Sequence, residues 1–133
     1  MPAQIRATVS QISPSASQAR VRQHAVLCDR PVEKGGEDRG PMGGELLLMG
    51  LGGCFMSNLL AAAKARDVPV ANLSVDVTGL VAEAPSRFSE IELRVSGHIQ
   101  DRDVLIKLVT IAERGCIVAN TLRGAVKLTV SLA

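Results

Sequence analysis

The sequence predicts an α+β fold, mainly antiparallel, on three observations. Runs in which apolar and polar residues alternate occur near both ends of the chain. One long stretch, Leu46 to Ala63, carries no charged side chain, and an amphipathic stripe lies between the last two alternating runs. The predicted order is strands, long helix, strands, helix, strand, within a single domain spanning 1–133.

Ile5, Ala7 and Val9 alternate with Arg6, Thr8 and Ser10, and Ser13-Pro14-Ser15 supplies a turn before a second extended run, Gln18 to Leu27. An N-terminal hairpin over 1–28 is expected. From Asp29 to Gly44 the composition changes to Gly, Pro and charge, which cannot build a core face. This segment reads as a surface loop of the length usually reserved for function or motion.

Glu45 to Arg66 reads as a helix of roughly 33 Å at about 1.5 Å per residue. Leu46, Leu47, Leu48, Met49, Leu51, Phe55, Met56, Leu59 and Leu60 cannot be gathered on one stripe, so the helix is either a membrane span or enclosed by protein. Gly50, Gly52, Gly53, Ser57 and Asn58 at its centre, with no aromatic belt, speak against a span. One small sheet covers only one side of a helix, so a second subunit is expected on the other. The small residues of Gly50-Leu51-Gly52-Gly53-Cys54 would let another helix approach closely.

After Asp67-Val68-Pro69, Leu73, Val75 and Val77 alternate with polar residues, as do Ile91, Leu93 and Val95. Glu83-Ala84-Pro85-Ser86 is the hairpin connection between them. Asp101 can cap a second helix whose stripe is Val104, Leu105, Leu108, Val109, Ile111 and Ala112, and Gly115 can close it. Val126, Leu128, Val130 and Leu132 make the last strand.

Composition narrows the function. Hydrophobic residues are 47% and charged residues 21% of the 133, which is globular, while aromatics are only 2%. Two phenylalanines and a net charge of +2 offer neither stacking platforms nor an electrostatic footprint, so nucleic acid is excluded as a partner. Three cysteines, an odd count, fit a reducing compartment. The N-terminal residues contain no apolar run of a secretory signal, and a cytoplasmic protein is expected.

The thiols carry the chemistry. Cys54 sits mid-way along the uncharged stretch and is either inert packing or one half of a shielded redox pair. Attack on a peroxide needs a thiolate, hence a positive neighbour or a hydrogen-bond donor. No charge stands within two helical turns of Cys54 in sequence, so the candidates are Arg20, Arg22, Arg30 and Arg39. Cys116 follows the second helix, and a sulfenic acid on Cys54 could condense with it. Cys28, before Asp29-Arg30-Pro31, reads as packing. With His24 and His98, the cysteines show no zinc-site spacing. His98 reads as exposed on its strand. Gly50-Leu51-Gly52-Gly53 lacks the preceding strand and the following Lys of a nucleotide loop.

Two segments resemble the OsmC/Ohr family. One is Asp29-Arg30-Pro31 with Gly40-Pro41-Met42-Gly43-Gly44-Glu45-Leu46-Leu47-Leu48-Met49-Gly50-Leu51-Gly52-Gly53-Cys54; the other is Glu113-Arg114-Gly115-Cys116-Ile117-Val118-Ala119-Asn120-Thr121-Leu122. The resemblance implies an intertwined homodimer with antiparallel sheets wrapped around two long central helices, and a thiol peroxidase reducing hydroperoxides. It implies that Cys54 is peroxidatic and Cys116 resolving, that an Arg and a Glu orient thiolate and substrate, and that an external dithiol reduces the product. Arg39 is the first choice for the Arg, Arg20 the second, and Glu45 is the Glu. No metal or organic cofactor is implied. Peroxidase members typically carry Glu ten residues before the cysteine, where this chain has Gly44; Glu45 stands nine before, as in the OsmC-like branch. Ile117 stands where the family often has Pro. The competing reading is a non-catalytic dimer that binds a small apolar ligand and whose cysteines are structural.

Overall fold

The computed structural model of the chain describes residues 2–133; Met1, the first residue of the predicted hairpin segment, lies outside them. The chain divides into two compact units, one ending at Leu47 and one beginning at Leu48.

The N-terminal unit holds strands β1 (Thr8–Gln11), β2 (Ser17–Val21) and β3 (His24–Cys28), paired antiparallel in that order. The run expected to be one extended segment from Gln18 to Leu27 is thus two strands. Arg22 takes a φ of 53°, in the left-handed region, and reverses the chain before His24. No Gly or Asn marks this tight turn, so alternation passed through it unbroken.

Asp29 organises the segment that follows. Its side chain is buried, and its carboxylate accepts from the backbone N–H groups of Arg30 at 2.7 Å, Glu37 at 3.1 Å and Arg39 at 3.2 Å. The Asp29 N–H donates to the Pro41 carbonyl at 3.1 Å. A 3₁₀ turn, Val32–Lys34, lies within this loop. Gly36 and Gly40 press against the backbone carbonyls of Arg30 and Leu27, where any Cβ would collide. A composition that cannot build a core instead permits backbone to cross backbone. Burial pushes the Asp29 carboxyl up, but the N–H donors of Arg30 and Arg39, the Ser15 hydroxyl and the Glu37 N–H outweigh it and hold it below the usual carboxylate range.

Helix α1 (Gly43–Ala65) begins in the first unit and runs through the second, where β4 (Ala71–Ala82), β5 (Arg87–His98), α2 (Arg102–Gly115), α3 (Ile117–Leu122) and β6 (Lys127–Leu132) complete the chain. The β4–β5 hairpin is antiparallel, with Val75 opposite Val95 and Val77 opposite Leu93. β6 adds parallel to β5, with Leu128 beside Ile91, because the chain returns through α2 and α3 before pairing. Asp101 caps α2 as expected, its carboxylate accepting from the N–H groups of Asp103 and Val104. The short α3 has no counterpart in the sequence reading.

Leu51, Phe55 and Leu59, spaced by four along α1, form its buried face. They share one core with Ile91, Leu93 and Val95 of β5 and Leu108 of α2. The opposite face leaves Met49 and Leu60 59% and 46% exposed, so the unit encloses only half of this all-apolar helix. By length and composition α1 could cross a membrane, yet its buried face is the centre of this core.

Two outcomes follow. Phe55→Ala, at a fully buried position, is expected to cost about 3–5 kcal/mol, read as a lower urea midpoint. Asp29→Ala is expected to speed hydrogen exchange at the N–H groups of Arg30, Glu37 and Arg39. In the wild type the contribution of this depressed carboxyl is full above the unfolded value of about 3.9 and is lost as pH falls further through the folded value. Protection at those three amides should fall in that window and not above it.

Candidate active site

Cys54 lies on α1 between its buried and open faces and is partly exposed. Cys116 is fully buried at the point where α2 stops and α3 begins. Its backbone is extended, with φ −81° and ψ 110°, and the residue caps both helices. Its N–H donates to the Glu113 carbonyl at 3.4 Å, and its sulfur accepts from the Ala119 N–H at 3.4 Å. The break at Cys116 leaves the N–H groups of α3's first turn without helical partners.

Those N–H groups serve Cys54. Burial pushes the Cys54 thiol up, but the Val118 N–H, the Cys116 thiol and the Ile117 N–H all hydrogen-bond its sulfur, and the balance lies below the ordinary cysteine value. Burial raises Cys116 as well, and there the Ala119 N–H is outweighed because Cys54 accepts its proton and repels a second negative charge. The first thiolate of the pair therefore resides on Cys54, with Cys116 as its protonated partner. All three cysteines are free.

Asn58, one turn along α1, donates through Nδ2 to the Cys54 carbonyl at 2.9 Å and stands 3.9 Å from the Cys54 sulfur. The sequence reading placed Asn58 only as a polar interruption of the helix. Its spacing of four from a candidate nucleophile was the available signal.

The other expected site residues belong to the N-terminal unit. Glu45 accepts the Met42 N–H at 2.9 Å, the reach-back half of a capping box at the start of α1. Arg39 gives its backbone N–H to Asp29. Arg20 lies in β2, paired with Thr8 and Ala25. Neither ion pair among the described residues, Arg123–Glu113 and Lys127–Glu90, includes Arg39 or Glu45. Arg30, neither of the two favoured arginines, lines a cavity of about 420 Å³ with Cys28, Lys34, Gly43 and Gly44. Among the described residues no group of three or more His, Cys, Asp or Glu side chains gathers as a metal site.

The chain matches the family described as OsmC-like protein over residues 35–131. No curated protein matches it. Solved structures of similar fold include the OsmC like protein from Mycoplasma pneumoniae, 24% identical with a TM-score of 0.86, covering 100% of this chain and 98% of that one. An organic hydroperoxide resistance protein from Elizabethkingia anophelis is 17% identical, with a TM-score of 0.77 and coverage of 100% and 97%. The organic hydroperoxide resistance protein OhrB of Bacillus subtilis is 20% identical, with a TM-score of 0.69 and coverage of 98% of both chains.

Alkylation with iodoacetamide at neutral pH, followed by peptide mapping, is expected to label Cys54 well ahead of Cys116. Cys116→Ala removes a donor to the Cys54 sulfur and should move the midpoint of Cys54 alkylation to higher pH. An unmoved midpoint would mean that the two thiols do not share a proton.

Proposed function

Because the chain belongs to the OsmC-like protein family, we propose that it is a cytoplasmic thiol-dependent peroxidase that reduces organic hydroperoxides. One observation carries this reading, the gathering of two thiols: Asn58 reaches the Cys54 sulfur at 3.9 Å and also lies against Gly115, the residue before the buried Cys116, and the thiolate of the pair is favoured on Cys54. A nucleophile and a protonated resolving thiol are thus already adjacent.

The Cys54 thiolate attacks one peroxide oxygen. The S–O bond forms as the O–O bond breaks, and the alkoxide leaves as the alcohol after taking a proton. Cys54 is oxidised by two electrons to the sulfenic acid. The Cys116 sulfur then attacks Cys54; the S–S bond forms, the S–O bond breaks and water leaves. An external dithiol reduces the disulfide by exchange and is itself oxidised to a disulfide. An apolar substrate is supported by a cleft of about 360 Å³ beside Gly53, lined by Leu48, Met49, Gly52, Val75 and Val77. The open apolar face of α1 supports a homodimer in which a second copy covers it. Arg39 and Glu45 are the proposed orienting residues, with Arg30 as a further arginine to test.

The reading is tested by intact mass after one equivalent of cumene hydroperoxide. The expected result is a loss of two hydrogens mapped to a Cys54–Cys116 bond, absent in Cys54→Ser. Cys116→Ser should stop at a dimedone-reactive Cys54. Arg39→Ala and Glu45→Gln should each slow peroxide consumption. A wild-type chain left unmodified, with the hydroperoxide unconsumed, would instead favour a dimer that binds a small apolar ligand and keeps its cysteines as structure.

A further inference from the structure

Gly115 is the last residue of α2, just before the residue that caps it, and a glycine near a helix end is usually there to close the helix in the left-handed conformation. That reason does not apply here. The positive-φ glycines among the described residues are Gly35 and Gly97, so the backbone at 115 is one that any residue adopts. A Cβ at Gly115 would instead lie 2.8 Å from Oδ1 of Asn58. The glycine is therefore matched to a side chain on another helix.

The Asn58 amide is fixed from two sides. Its Nδ2 donates to the Cys54 carbonyl at 2.9 Å, and a flipped amide would set two acceptors against each other there. Its Oδ1 lies against Gly115. With one hydrogen of Nδ2 on the Cys54 carbonyl, the second is free for the Cys54 sulfur at 3.9 Å, within reach of so large an acceptor. We propose that Asn58 is a positioning residue for Cys54: its amide, seated against Gly115, holds the sulfur toward Cys116 and supplies it with a neutral hydrogen-bond donor. This rests on the peroxidase reading for its purpose but not for its geometry. The donor adds no charge to an apolar helix, so it favours the sulfur anion without introducing a strongly hydrated group beside the substrate cleft.

The test is the pH profile of Cys54 alkylation by iodoacetamide, measured by mass in the full chain carrying Cys28→Ser and Cys116→Ser. The serine hydroxyl keeps a donor in place of the resolving thiol. Asn58→Ala is expected to raise the midpoint by roughly one to two pH units, the effect of one hydrogen bond to a charged form. Asn58→Asp keeps the shape, replaces the donor with a negative charge and should raise it further. Gly115→Ala leaves Cys54 and Asn58 intact but displaces the amide, and should shift the midpoint in the same direction. Thermal melting confirms which variants fold; if Asn58→Ala does not, the near-isosteric Asn58→Asp and Gly115→Ala carry the comparison. Midpoints unchanged in the folded variants overturn the proposal. Shifted midpoints in a protein whose wild type forms no disulfide with hydroperoxide would uphold the role of Asn58 and refute the peroxidase. A disulfide-forming wild type with unshifted variants would do the reverse.

Discussion

The site depends on the interruption of the helical path at Cys116. Had α2 continued, the N–H groups of Ile117 and Val118 would be spent on carbonyls one turn behind them. Because the backbone becomes extended at Cys116, those N–H groups are released, and they find the sulfur of Cys54. Cys54 is thereby activated within its own unit by donors that carry no formal charge. Burial acts on both thiols in the same direction and each has backbone N–H groups beside it; what separates them is their mutual hydrogen bond, which lowers Cys54 and raises Cys116, together with the repulsion of a second negative charge. Ile117 contributes because it is not proline; the residue often found after this cysteine in the family has no N–H to offer.

The second organising feature is the division of α1 into two faces. Leu51, Phe55 and Leu59 anchor it in the core, which fixes the azimuth of Cys54 at the margin of that buried stripe. Near the margin the sulfur is close to Cys116 and still partly exposed. A cysteine one position further along, at Phe55, would be sealed in the core; one position earlier, at Gly53, it would be exposed.

Much of this architecture was legible, and the exceptions have common causes. The α+β class, the long helix and the β4–β5 hairpin follow from charge gaps and alternation sustained over many residues. The turn at Arg22 was missed because its left-handed residue is an arginine, not a glycine or asparagine. α3 was missed because six residues opening on Ile117 and Val118 are too few to establish a period. Asp29 was read as part of a solvated loop because the backbone donors that surround it have no side-chain signature. The pairing of Cys54 with Cys116 was open to the residues as one reading beside inert packing, and the resemblance favoured it; spacing could not decide. Asn58 and Gly115 were both noticed in sequence, but only coordinates reveal that each explains the other.

One sulfur at the helix junction is asked to be a proton donor, a prospective nucleophile and the acceptor that starts α3. Classical knock-out logic is therefore confounded at this position. Alanine deletes thiol and scaffold together, whereas serine removes the thiol while keeping an oxygen well suited to begin a helix. The contrast between those two replacements, more than either alone, separates what residue 116 does from what it holds in place.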